Sequence, residues 1–128
     1  MATKPERAES PGVKAPPGLT REQRAEFRRL LPSLRDAGVK DCDQAALARY
    51  LHHWQLCRNA ERQIEAHGVT IQTTNGQTQV SPHHTILRQN SELLMRWARE
   101  LGCTPMGRKR LGVQLEKSDA DESDLYGD

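Results

Sequence analysis

Apolar positions recur with helical spacing over three stretches of the chain, and the breaks between them mark its elements. Phe27, Leu30, Leu31 and Leu34 fall at i, i+3, i+4 and i+7 and make one apolar face. Thr20 stands before them as an N-cap, with Gln23 three residues on to complete a capping box. Pro32 lacks an amide hydrogen and its ring clashes with the carbonyl of Arg28, so this first helix is expected to kink or end near Leu31. Asp41 or Asp43 can cap a second helix running to about His67, which Gly68 should stop in a left-handed conformation. Its stripe is Leu47, Tyr50, Trp54, Cys57 and Ile64, interrupted at Glu61 and widened by Leu51 and Ala60. The period then changes from helical to alternating at Val69, Ile71 and Thr73. Asn75-Gly76 predicts a type I′ hairpin turn, and the return segment Gln77–Val80 is polar and weak. Ser81-Pro82 is an N-cap and N1 pair that opens a third helix. Ile86, Leu87, Leu93, Leu94, Trp97, Ala98 and Leu101 form its broad band, which ends at Gly102. Thr104-Pro105 repeats the cap pattern and starts a short helix through Leu111.

The pattern predicts a mainly α fold. An antiparallel hairpin of two long helices holds a short β-hairpin or loop between them, flanked by an N-terminal helix and a short C-terminal one. Residues 1–18 hold four of the seven prolines and little apolar surface, so they are expected to be a disordered N-terminal arm. Residues 19–111 form the helical domain, and 112–128 an acidic flexible tail. The long helices carry more apolar width than one hairpin covers. The surplus needs the first helix or a neighbouring subunit.

Composition strengthens that last point. In 128 residues only 35% are hydrophobic and five are aromatic, so a monomer buries a thin core. Small chains of this kind often complete burial by oligomerising, and a homo-oligomer larger than a dimer is expected. No apolar run approaches the roughly 18 residues of a membrane span. Met1–Val13 has charges of both signs and no apolar core, which argues against a signal peptide and for the cytoplasm.

The net charge of +2 hides an uneven distribution. Thr20–Lys40 carries +3, Pro105–Lys117 another +3, and Ser118–Asp128 has five acids and no base. A basic body with an acidic tail fits nucleic-acid partners, and equally a solvated surface with a disordered end. At about 100° per residue, Arg21, Arg24, Arg28 and Arg35 fall within a band of roughly 60°, beside the apolar face rather than opposite it. Arginine favours bidentate phosphate contacts, so these residues, with Arg29, are candidate DNA contacts. The competing reading pairs them with Glu22 and Glu26. Arg108, Lys109 and Arg110 form a second candidate cluster on the short helix.

Other chemistry is sparse. His52-His53 and His83-His84 are adjacent pairs whose members diverge by about 100° on a helix, so neither pair readily chelates one metal. Cys42, Cys57 and Cys103 are odd in number with no C-x-x-C pair, which argues against a disulfide framework and a zinc module. Glu61 is read as a solvent-facing flank residue. With no Walker A loop, no G-x-S-x-G and no paired catalytic carboxylates, neither enzymatic activity nor a cofactor or metal is expected.

One ordered set of short motifs remains. It comprises Pro16-Pro17-Gly18-Leu19-Thr20, Phe27, Leu30-Leu31-Pro32-Ser33-Leu34, Asp43, Leu47 to Tyr50 and Gly68. Asn75-Gly76, Ser81-Pro82, Leu101-Gly102-Cys103-Thr104-Pro105, Arg108 and Arg110-Leu111 complete it. Over residues 16 to 111 this order resembles the small subunit of phage terminases, and within it the group often called P27-like. Ser81 stands where that group often has Asn, and Met106-Gly107 where Ser-Ser is common. The resemblance implies a ring-forming DNA-packaging subunit in the cytoplasm of a bacterial host. It would bind double-stranded viral DNA and present it to the terminase large subunit, which carries the ATPase and nuclease. Leu125 and Tyr126, flanked by acids, are the candidate anchor for that partner. Two readings from other classes remain open at this point: a small helix-turn-helix-type regulator, and a helical adaptor that binds protein only.

Overall fold

A computed structural model describes residues 13–112. Four α-helices and one two-stranded sheet follow in the expected order: α1 (Arg21–Asp36), α2 (Gln44–His67), β1 (Thr70–Gln72), β2 (Thr78–Val80), α3 (Pro82–Glu100) and α4 (Pro105–Leu111). A 3-10 turn, Asp41–Asp43, leads into α2. The long helices α2 and α3 lie antiparallel and make the most extensive packing in the molecule.

Local chemistry accounts for the boundaries. The Thr20 hydroxyl accepts from the Gln23 amide at 3.0 Å while the Gln23 side chain accepts from the Thr20 amide at 2.8 Å, the expected capping box. Ser81 accepts from the His83 amide at 3.1 Å with Pro82 behind it, and Thr104 from the Gly107 amide at 2.9 Å behind Pro105. At the far end of α3 the Cys103 amide donates back to the Ala98 carbonyl and the Gly102 amide to that of Arg99, a Schellman stop. Gly102 has φ +75° there, and an added Cβ would stand 2.7 Å from the Ala37 Cβ, so only glycine fits.

Several expectations need correction. Of the two outcomes expected at Pro32, a kink or an end, the end near Leu31 does not occur. α1 runs to Asp36 with Pro32 inside it, and Pro32 is exposed, so water can satisfy the Arg28 carbonyl that loses its partner. Gly68 does stop α2, but at φ 87°, ψ 170°, a positive-φ conformation outside the left-handed helical region. The hairpin turn is not type I′: no non-glycine residue has positive φ, and the Gly76 amide bonds the Thr73 carbonyl at 2.9 Å. A turn over Thr73–Gly76 with Gly76 at φ +81° closes a three-residue loop instead. Residues 13–18, expected in the disordered arm, are placed against the body. Val13 is 6% exposed and belongs to the core, because the Lys14 amide donates to Asp41 Oδ1 and the Gln44 side chain donates to the carbonyls of Lys14 and Ala15. The rest of the arm, residues 1–12, and the predicted tail from residue 113 lie outside the described residues.

The core is lopsided. Phe27, Leu30, Leu34, Val39, Leu47, Tyr50, Leu51, Ala98 and Leu101 cluster where α1 crosses the start of α2 and the end of α3. Toward the β-hairpin the α2–α3 pair buries little beyond Cys57 and Ala60. Val69, Ile71, Val80 and Ile86 are all exposed. The first helix therefore covers one half of the long hairpin and leaves the other half thin.

Candidate nucleic-acid interface

The basic residues of α1 are arranged by what its two glutamates do. Glu26 is buried at 6% exposure, and its carboxylate is met from two sides. Tyr50 Oη donates to Glu26 Oε2 at 2.9 Å from α2, while Arg29 Nε and Nη2 donate to Oε1 and Oε2 at 2.8 and 2.7 Å. Burial, and then the Glu26 charge, push the Tyr50 phenol well above its usual range, so it stays a donor. The bidentate bond to Glu26 raises Arg29 in turn. Glu22 is engaged as well. It accepts from Arg62 through both guanidinium nitrogens and from Gln55 Nε2 at 2.9 Å, and the Arg62 bonds hold its carboxyl down at about 2. Thr20 Oγ1 donates to Gln55 Oε1 and Gln23 Nε2 to the Leu51 carbonyl, so the first turn of α1 is tied to α2 by polar contacts alone.

These pairings show how far Glu22 and Glu26 neutralise the arginine stripe. Glu22 and Glu26, the acids that could have neutralised it, both turn elsewhere. Among the described residues no carboxylate lies within 4 Å of Arg21, Arg24, Arg28 or Arg35, and all four are exposed. Arg24 alone makes a bond, from Nη1 to the Leu19 carbonyl at 3.0 Å. The stripe also lies farther from the core than the apolar spacing implies. Leu31, on its near flank, is only half-buried, whereas Glu26 on the far flank is buried. At ~100° per residue, the buried set of Glu26, Phe27, Leu30 and Leu34 is centred roughly 130° from the arginines. They point to solvent.

Arg29 differs from its neighbours. Its guanidinium is 67% exposed but two of its donors are committed to Glu26. The second cluster is mixed too. Arg108 is half-buried with Nη1 3.5 Å from the Gly102 carbonyl, Arg110 lies 3.8 Å from Glu100, and Lys109 is exposed. The fold places this cluster near the end of α1: a Cβ added at Gly102 would meet the Ala37 Cβ at 2.7 Å, Leu111 Cδ1 at 3.2 Å and Arg108 Cγ at 3.8 Å. α4 is held there by Gly107, where an added Cβ would stand 2.4 Å from the Arg99 carbonyl oxygen.

His53 Nδ1 meets Asn90 Oδ1 at 2.7 Å across the α2–α3 seam, and among the described residues no group of three or more His, Cys, Asp or Glu could hold a metal ion. Glu61 is exposed and pairs with Arg58 on its own helix, as a flank residue does. No described helix is long and apolar enough to cross a membrane. Sequence reasoning missed the Glu26–Tyr50–Arg29 and Glu22–Arg62–Gln55 groups, since their members lie 24 to 40 positions apart across α1 and α2. Glu26 one turn before Leu30 was the available signal, a carboxylate on the edge of an apolar face.

A family model for the phage terminase small subunit matches residues 24–118. The chain belongs to that family. No curated protein and no solved structure matches it. The match takes in most of α1, the whole α2–α3 hairpin and α4, and so includes every basic candidate except Arg21. Membership places this small terminase subunit in phage DNA packaging.

Proposed function

We propose that this terminase small subunit binds double-stranded viral DNA through the outer face of α1, and that it acts as a homo-oligomer larger than a dimer. The observation that carries the reading is the stripe of Arg21, Arg24, Arg28 and Arg35, exposed and without a carboxylate within 4 Å among the described residues. Unneutralised guanidinium groups on a rigid helix suit phosphate contact, which positions a protein on DNA without reading its sequence. Lys109 and Arg110 extend the basic surface from α4. Arg29 and Arg108 each commit donors within the body and add charge with fewer free hydrogen-bond donors. Each subunit then binds weakly, and multiple copies supply the affinity.

Assembly follows from the thin half of the molecule. Exposed Val69, Ile71, Val80 and Ile86 mark apolar surface that α1 does not reach. The subunit carries no catalytic step of its own and presents DNA to the terminase large subunit in the cytoplasm of the bacterial host. The acidic segment 118–128, with Leu125 and Tyr126, docks on that partner. A large-subunit ATPase assay with DNA tests this. The wild type stimulates turnover, Arg21→Ala/Arg24→Ala/Arg28→Ala loses the DNA-dependent part, and deletion of 116–128 loses stimulation while DNA affinity stays nearly constant. If deletion instead raises DNA affinity several-fold at low salt and stimulation persists, the segment shields the basic surface and does not dock.

A further inference from the structure

The β-hairpin, which carries Ile71 and Val80 of that exposed apolar surface, has a second feature in its strand edges. All six of its strand residues are exposed, and its three-residue strands pair only with each other. The fourteen residues Gly68–Ser81 contain no Asp, Glu, Lys or Arg, in a chain that is 28% charged. Soluble proteins protect open sheet edges with charged side chains, proline or bulges against pairing with another chain. Neither outer edge here carries a charge or a proline.

The ladder shows which backbone groups those edges offer. Thr73 pairs with Gln77 through an amide-to-carbonyl bond of 2.8 Å, and Ser81 donates to the Val69 carbonyl at 2.6 Å. With Thr70 opposite Val80, Ile71 opposite Gln79 and Gln72 opposite Thr78, hydrogen-bonded pairs alternate with non-bonded ones. The inward pairs are therefore Val69/Ser81, Ile71/Gln79 and Thr73/Gln77. The amides and carbonyls of Thr70 and Gln72 face outward on one edge, and those of Thr78 and Val80 on the other.

We propose that these edges join copies of this chain, β1 of one subunit pairing antiparallel with β2 of the next. The proposal rests on the homo-oligomer reading above and assigns its contact. The absence of charge over the whole segment disfavours DNA. A second copy supplies a strand of the same length and register. Pairing β1 to β1 or β2 to β2 would join two copies at one edge, whereas β1 to β2 uses both edges of every copy and so builds beyond a dimer.

Two measurements on the full chain test it. In hydrogen exchange of the wild-type assembly, the amides of Thr70, Gln72, Thr78 and Val80 should exchange as slowly as those of Ile71 and Gln79. Thr78→Pro removes an outward donor and leaves the internal ladder intact. It should reduce the mass seen by light scattering while helical circular dichroism is retained. Fast exchange at those four amides in a wild-type assembly larger than a dimer would overturn the hairpin contact and leave the oligomer reading standing. A monomeric wild type would overturn both. Protection that appears only on adding the large subunit would also overturn the proposal, since the pairing strand would then be the partner's.

Discussion

Tyr50→Phe removes one oxygen atom, the donor that meets Glu26 Oε2 at 2.9 Å inside the α1–α2 seam. A hydrogen bond to a charged group contributes about 1.5–3 kcal/mol. Here Arg29 still bonds the same Glu26 oxygen after the change, so the carboxylate is not orphaned and the loss should fall near 1.5 kcal/mol. Glu26→Ala is worse. It leaves the Tyr50 hydroxyl buried without its partner, about 1–3 kcal/mol, and loses the packing of the glutamate stem. The freed Arg29 adds little to that cost because its guanidinium is 67% exposed. Urea unfolding at fixed protein concentration, read as a shift in midpoint at constant slope, measures both, and the double variant gives the coupling. The pH dependence has a definite sign. The folded pKa of Tyr50 is raised, so its contribution is complete below about pH 10 and erodes as pH climbs toward the folded value. Tyr50→Phe should remove that alkaline decline. A Tyr50→Phe midpoint within about 0.5 kcal/mol of wild type, with the alkaline decline unchanged, would refute the claim that this carboxylate anchors α1.

Other consequences are equally specific. Gly107→Ala drives a methyl group into the Arg99 carbonyl and should cost about 1–3 kcal/mol, seen as increased proteolysis between α3 and α4. Glu22 contributes stability above its ordinary pKa near 4.5, lost as pH falls toward about 2; Arg62→Gln should reduce that acid-side slope in pH-dependent thermal melts, with Gln55 keeping part of it. Cys42 is exposed, while burial raises the Cys57 and Cys103 thiols, so a maleimide at neutral pH should label Cys42 first by mass spectrometry.

How far the sequence could be read depends on whether a feature is local. Caps at Thr20, Ser81 and Thr104, and the stop at Gly102, need partners within a few residues, and each forms where spacing placed it. Pro32 does not end α1, and its exposed side lets water meet the Arg28 carbonyl that loses its partner. Asn75-Gly76 misled because Thr73 begins the turn one residue earlier, which lets Gly76 alone take positive φ. The arginine stripe was visible as a stripe. Its lack of acid partners was not, because that depends on Tyr50 and Arg62 reaching back from α2 to claim Glu26 and Glu22.

The central claim is that α1 meets DNA through arginines left without carboxylate partners, and the salt dependence of binding tests it most directly. Affinity for a duplex, measured by fluorescence anisotropy from low to physiological salt, gives a slope of log K against log salt of roughly −0.9 per neutralised phosphate. Arg21→Ala/Arg24→Ala/Arg28→Ala should weaken binding and flatten that slope by roughly 0.9 for each phosphate no longer neutralised, while Arg62→Gln leaves it unchanged. An identical slope and affinity in the triple variant and the wild type would contradict the account.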